Sequence, residues 1–236
     1  MGAVGWGERA PSEARALGEN LLFFGPPGVG KGTQAQRLSA AFRIPHISTG
    51  DMLRAAIASH TSLGTRAKGF IDKGQLVPDE LILDVIAARL VEADTARGFL
   101  LDGFPRTVPQ AVALGGMLAR SGKSLSAVLV LDAPVEELVD RISKRRTCQS
   151  CGSSYHLVAK PSKVAATCDR CGGTLVQRSD DSEEIIRHRL VEYLGKTKPV
   201  LEYFKSEPAL WPLRFIDAAG NIDQIFGRIY AAVLLS

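Results

Sequence analysis

The amino-acid sequence predicts an α/β protein built on a doubly wound, five-stranded parallel sheet. Short apolar runs at 21–24, 44–47, 99–101, 127–131 and 214–216 alternate with longer stretches of helical periodicity. Parallel strands covered on both faces read as such continuous runs, because neither face meets water. A glycine-rich loop joins the first run to the first helical stretch. With 236 residues, 45% of them apolar, the chain is long enough to bury a sizeable sheet.

Taken in order, residues 1–19 contain no strongly apolar segment and mix Glu8, Glu13 and Glu19 with Arg9 and Arg15. That is neither a secretory signal nor an acid-poor transit peptide, so they read as a loose extension. Leu21-Leu22-Phe23-Phe24 forms the first strand, and Gly25-Pro26-Pro27-Gly28-Val29-Gly30-Lys31-Gly32-Thr33 comes directly after it. Glycines let successive backbone N–H groups converge on an anion, the helix N-terminus adds partial positive charge, and Lys31 reaches outer phosphates. The expected ligand is a nucleoside triphosphate. The general motif has Ser or Thr directly after the Lys, whereas here Gly32 intervenes and the hydroxyl arrives on Thr33, so a hydroxyl–Mg²⁺ contact is not assigned.

Further along, a helix beginning near Pro78-Asp79 carries Ile82, Val85, Ile86 and Leu90 on one side, with Asp84 and Arg89 elsewhere. Asp102 ends the apolar run 99–101, at the carboxyl edge where doubly wound sheets present functional groups. A helix from about 182 to 204 supplies Ile185, Ile186, Leu190 and Leu194 to the core, while Arg187 and Arg189 need not face the same way. The net charge of +4 is mild, yet Arg141, Arg145, Arg146, Arg178, Arg187 and Arg189 fall within one stretch. This favours an anionic ligand over a broad nucleic-acid footprint. No apolar run approaches the roughly 20 residues of a membrane span, so a soluble protein of the reducing cytoplasm is expected.

Residues 148–177 break the α/β pattern and read as a small inserted unit. All four cysteines lie there, as Cys148-x-x-Cys151-Gly and Cys168-x-x-Cys171-Gly-Gly with sixteen residues between the pairs. Each pair brings two thiolates to one tetrahedral ion, and four thiolates leave no open position for water, so a structural zinc is expected. Two disulfides or idle thiols are the alternatives. His156 is read as a partly exposed hydrogen-bonding residue rather than a ligand.

Beyond the loop stand Ile47-Ser48-Thr49-Gly50-Asp51-Met52-Leu53-Arg54, Gly98 to Thr107 (GFLLDGFPRT) and Pro109-Gln110-Ala111. Next come Asp140-Arg141-Ile142, Arg178-Ser179-Asp180-Asp181 and Arg187-His188-Arg189-Leu190. In this order, from about residue 20 to the C-terminus, they closely resemble adenylate kinases, in the long-lid, zinc-bearing form common in bacteria. The resemblance implies a P-loop NTPase core over 20–47, 78–143 and 182–236, an AMP-binding helical arm over 48–77, a lid over 144–181, and a monomer.

It further implies ATP contacts from Gly28, Val29, Gly30, Lys31, Gly32, Thr33, Arg141, Arg145, Ser154, Tyr155 and Gly220. AMP contacts are implied for Thr49, Arg54, Gln75, Leu76, Val77, Gly103, Phe104, Pro105, Arg106, Gln110, Arg178 and Arg189. Asp102 would hold Mg²⁺ through water, and the bond before Pro105 would be cis.

The chemistry agrees with the inventory. Phosphoryl transfer spreads charge over equatorial oxygens, so cations, amide donors and alignment matter more than covalent participation. Lys31, Arg106, Arg145, Arg178 and Arg189 are the candidate catalytic cations, the arginines because their planar forks match phosphate oxygens. A Gln amide carries one donor and one acceptor, complementary to an adenine edge. An acceptor phosphate with a second pKa of roughly 6 is already ionised at neutral pH and needs no general base. The expected reaction consumes ATP and AMP and yields ADP. A kinase with another donor or acceptor base, such as GTP, and a non-catalytic zinc-ribbon nucleic-acid binder stay open as rival readings.

Overall fold

The computed structural model describes residues 19–234; the expected extension, apart from Glu19, lies outside the described residues. Glu19 itself is buried, and its carbonyl accepts the Phe99 N–H at 3.0 Å. The elements are β1 (Asn20–Phe24), α1 (Lys31–Phe42), β2 (His46–Ser48), α2 (Thr49–Ala58), α3 (Ser62–Ile71), α4 (Asp79–Leu90), β3 (Phe99–Asp102), α5 (Val108–Arg120), β4 (Ala127–Asp132) and α6 (Val135–Ser143). They continue with β5 (Arg145–Cys148), β6 (Ser154–His156), β7 (Leu175–Val176), α7 (Glu183–Glu192), α8 (Lys198–Ser206), β8 (Leu213–Asp217) and α9 (Ile222–Leu234).

Five strands form one parallel sheet in the order β2-β3-β1-β4-β8. Alternate residues face opposite sides. Leu22, Phe24, Phe99, Leu101, Val128 and Val130 pack under α4, α5 and α8, and Leu21, Phe23, Leu100, Ala127, Leu129 and Leu131 pack under α1, α6 and α9. Both faces are dry along β1, β3 and β4, which is why these strands read as unbroken apolar runs, whereas the edge strands β2 and β8 each bury one residue, Ile47 and Ile216. The second strand begins two residues later than its apolar run suggested, because Pro45 has no N–H to pair. Only its carbonyl joins the ladder, accepting from Leu100 N–H at 2.9 Å.

On α4, Ile82, Ile86 and Leu90 are buried as the stripe required, with Val85 half-buried. The expected helix from 182 to 204 is interrupted. A π-helical turn at Tyr193–Thr197 separates α7 from α8, and its extra residue per turn rotates the helix downstream of it. Leu194, expected in the core, is 56% exposed, while Thr197 turns inward. Arg187 and Arg189 do diverge: the first pairs with Glu183 at the surface and the second is largely buried.

Helices α2 and α3 pack tightly, each capped by a hydroxyl: Ser48 Oγ accepts Asp51 N–H, and Thr61 Oγ1 accepts Gly64 N–H. A Cβ on Gly64 would collide with the Ala56 carbonyl, so glycine sets the approach of this pair. The segment carrying the cysteines folds into a separate antiparallel sheet, β6-β5-β7. Among the described residues, no helix is long and apolar enough to cross a membrane.

Candidate active site and metal centre

The glycine-rich loop leaves β1 at the carboxyl edge of the sheet. Gly25, Gly28 and Gly30 all have positive φ, at 146°, 85° and 97°, the backbone region glycine enters without steric cost. Gly28 is also sterically required, since a Cβ there would stand 2.8 Å from Ile142 Cγ1. Val29, wholly buried beneath the loop, pins it to the core. Helix α1 starts at Lys31 with no acidic residue in its first turn, leaving its positive end open to an anion. The Lys31 ammonium arches back and donates to the carbonyls of Gly25 and Pro26 at 2.7 and 2.9 Å. Burial pushes its pKa down to about 8, against the opposing pull of Asp102.

Asp102 is the last residue of β3 and is buried. It does not cap the turn after the strand. His46 Nε2 lies 3.2 Å from its Oδ2. Burial raises the Asp102 carboxyl, but the bond to His46 and the charges of Lys31 and Arg106 outweigh it and hold the group below the usual carboxylate range. An ionised carboxylate therefore stands beside the ammonium at the mouth of the phosphate loop.

Arginines from α2, β5, α7 and the loop after β7 converge on this edge. Asp181, fully buried, accepts from Arg145 Nε at 2.9 Å and from Arg189 Nη1 at 3.5 Å, and Asp180 accepts from Arg189 at 2.9 Å. Arg178 Nε donates to Thr147 Oγ1 at 2.9 Å, and its guanidinium stands 3.8 Å from the Asp51 carboxylate, which also holds Arg54 at 2.6 Å. Burial, with Arg145 close by, pushes both Arg178 and Arg189 down to about 10. So depressed a guanidinium marks cations crowded out of water, the electrostatic demand that a multiply charged anion would satisfy.

Two cavities meet at this cluster. The first is lined by Thr49, Gln75, Leu76, Val77, Pro105 and Gln110, and the second by Gly28 to Thr33, Asp102, Arg141, Arg145, Ser154, Tyr155, Arg178 and Gly220. Lys31, Arg54, Gly103, Arg106 and Arg189 face both. Phe104, expected at the first cavity, instead packs into the core with 1% of its surface exposed. Arg178 borders only the second cavity. The Phe104–Pro105 bond is cis. Thr49 Oγ1 donates to the Gly103 carbonyl at 2.9 Å. Gln110 Oε1 accepts the Arg106 N–H at 2.7 Å, and its Nε2 donates to Asp79 Oδ1 at 2.7 Å. Arg141 donates to Glu137 at 2.8 Å and to the Ala218 carbonyl at 2.9 Å.

In the small sheet the four cysteine Sγ atoms lie within 4.8 Å of one another, with Cys148–Cys171 at 3.5 Å and Cys151–Cys168 at 3.6 Å. These separations exceed a disulfide bond. They fit the edges of a tetrahedron of thiolates around zinc, about 3.8 Å for a Zn–S bond of about 2.3 Å. The Tyr155 hydroxyl lies 3.4 Å from Cys168 Sγ and pulls that thiol down to about 6. His156 stands apart as a hydrogen-bonding residue, its Nδ1 accepting from the N–H groups of Val158 and Ala159.

Sequence reasoning gave no role to His46, Asp51, Asp79, Asp180 or Asp181. Only the Arg178-Ser179-Asp180-Asp181 run carried a local signal, two carboxylates beside a guanidinium. The partners of His46 and Asp79 lie 56 and 31 residues away.

Residues 23–209 match the family model described as Adenylate kinase. An adenylate kinase of Geobacter sp. (strain M21) is 50% identical over 214 residues, 91% of this chain and 99% of that protein. One from Methanocella arvoryzae is 50% identical over 213 residues (90% and 97%), and one from Archaeoglobus fulgidus is 48% identical over 212 (90% and 96%). A match of this extent and identity has one meaning: the chain belongs to the adenylate kinase family.

Proposed function

We propose that the protein catalyses reversible phosphoryl transfer from ATP, carried as its Mg²⁺ complex, to AMP, giving two ADP. The observation that carries this reading is the junction of two cavities at one set of cations, Lys31, Arg54, Arg106 and Arg189. A group passed between two anionic ligands must cross a region where charge is matched from both sides.

In this reading the donor polyphosphate lies in the loop, held by Lys31 and the amides of Gly28 to Thr33, with Arg141 beside its base. The acceptor phosphate meets Arg54 and Arg106, and its adenine meets Thr49 and Gln110 in the apolar cleft of Leu76 and Val77. Arg145, Arg178 and Arg189 surround the transferring group, and their guanidinium planes distribute its charge. The acceptor oxygen attacks already ionised, so no side chain removes a proton.

Asp102 fits a divalent cation: it is buried, ionised and beside the loop. It would hold Mg²⁺ through water, and the ion supplies shielding of the donor's negative charge. The four thiols fit zinc, which would brace β5–β7, a lid over 144–181 whose two roots carry Arg145 and Arg178. Helices α2 and α3 would form the acceptor arm, about 48–77.

The test is ADP formation by purified protein from ATP plus AMP, with GTP as an alternative donor and CMP and UMP as alternative acceptors. Zinc is quantified in the same sample. Turnover confined to ATP and AMP supports the reading. Faster turnover with GTP would reassign the donor, and absence of ADP would reject the activity.

A further inference from the structure

We propose that Asp79 is a positioning residue that sets acceptor-base choice by locking the Gln110 amide in one orientation. The proposal deepens the reading of Gln110 as the acceptor-base contact and rests on it.

A glutamine amide offers two lone pairs on oxygen and two protons on nitrogen, and it can turn over at small intrinsic cost. In this protein two of the four valences are used internally. A backbone N–H can only donate, so the group 2.7 Å from Arg106 N must be Oε1. An ionised carboxylate can only accept, so the group 2.7 Å from Asp79 Oδ1 must be Nε2. Turning the amide over would set N–H against N–H at Arg106 and carbonyl against carboxylate at Asp79. With Gln110 3% exposed, no water relieves either clash.

Asp79 is itself immobilised. Its second oxygen accepts from Thr107 Oγ1 at 2.8 Å, and the same hydroxyl oxygen accepts Gln110 N–H at 3.3 Å as the cap of α5. Asp79 is also the first residue of α4, where the partial positive charge of a helix start attracts an acidic side chain.

What remains for a ligand in the first cavity is one lone pair on Oε1 and one proton on Nε2. That pair complements an edge with an amino donor beside a ring-nitrogen acceptor, as in adenine. It opposes an edge with an oxo acceptor beside a ring N–H, as in hypoxanthine. Inosine monophosphate differs from AMP at this edge alone and keeps the same ribose and phosphate. A site with oriented polar groups rejects the mismatched edge because both would be left unpaired.

The experiment compares kcat/KM for AMP and for inosine monophosphate in wild type, Asp79→Asn, Asp79→Ser and Gln110→Leu. Asparagine and serine can face the amide with either a donor or an acceptor, and serine also suits a helix start. Because the Arg106 N–H persists, the AMP preference is expected to fall by about tenfold in either Asp79 variant, with the donor KM unchanged. General damage to the fold would slow both acceptors together and leave the ratio in place. An unchanged ratio in both Asp79 variants, with AMP binding weakened by Gln110→Leu, overturns the positioning role and leaves the acceptor assignment standing. AMP affinity unaltered in Gln110→Leu overturns the assignment and the proposal with it.

Discussion

The two sheets of this protein are stabilised by different physics. In the five-stranded sheet every residue of β1 is buried, and both faces close against helices mainly through apolar side chains. The three-stranded sheet buries only Cys148, Tyr155, Cys168 and Leu175 as its core. Burial of one large apolar side chain stabilises by about 1.5–3 kcal/mol, so the first sheet stands on its own packing. The second has too little apolar surface to do so, and its four thiols are placed to share an ion that would brace it. The division extends to chemistry. At the phosphate loop packing and charge share one stretch, with Val29 beneath and Lys31 above. In the small sheet the thiols lie at the tips and Arg145 and Arg178 at the roots.

The comparison can be broken from the side of the core. Lys31→Met, which removes the charge but keeps a long side chain, is expected to cut turnover by about a thousandfold or more while melting is unchanged. Turnover within a factor of two of wild type would dissociate the loop from the chemistry. From beside the other sheet, Arg178→Ala is expected to cost about a hundredfold in kcat with zinc content and melting temperature intact; normal turnover would remove Arg178 from the reaction.

A pH series sharpens the core side. Lys31 is depressed to about 8, so its ammonium form dominates below that pH, and a polyphosphate binds that form. Donor affinity is therefore lost as pH rises through about 8, by up to tenfold between about pH 7 and 9, with proton uptake on binding. Calorimetry of a non-hydrolysable ATP analogue in two buffers of different ionisation enthalpy reads both, and flat affinity without uptake would contradict it.

The smallest effect on turnover is expected from Cys148→Ser. Metal affinity should fall by more than about a hundredfold and melting should come earlier, yet turnover below the melting point should stay within about threefold, since the thiol touches no reacting group. Loss of all activity in a folded variant would show that scaffold and chemistry are one.

The same contrast explains what the sequence disclosed. The inner strands β1, β3 and β4 were legible because burial on both faces writes an apolar run; the edge strand β2 was displaced where Pro45 lacks a donor, and β8, with Phe215 64% exposed, showed only a short one. Strands β6 and β7, only three and two residues long, are too short to carry such a mark; only the cysteine spacing announced a fold there. The π turn was hidden because its one punctuating residue, Gly195, does not distinguish a π turn from an ordinary helix; the exposure of Leu194 was not legible either. Loop, cysteines and arginines were visible as dense local motifs. His46 and Asp79 were not, since a lone polar residue does not declare a partner dozens of positions away, and Phe104 looked like a site residue because its neighbours were.

Asp102 stands beside Phe23 on one strand and Ser48 on another, at the shared end of the ladder. Its place is fixed by counting residues, not by the identity of Phe99, Leu100 and Leu101 before it. Apolar exchanges of similar volume at those three positions cost less than about 1.5 kcal/mol and leave the carboxylate where it is. Removing any one of them moves it by one pleat and turns it toward the opposite, helix-covered face. Across descendants of this chain, the strand under the site can drift freely in composition while its length is held constant.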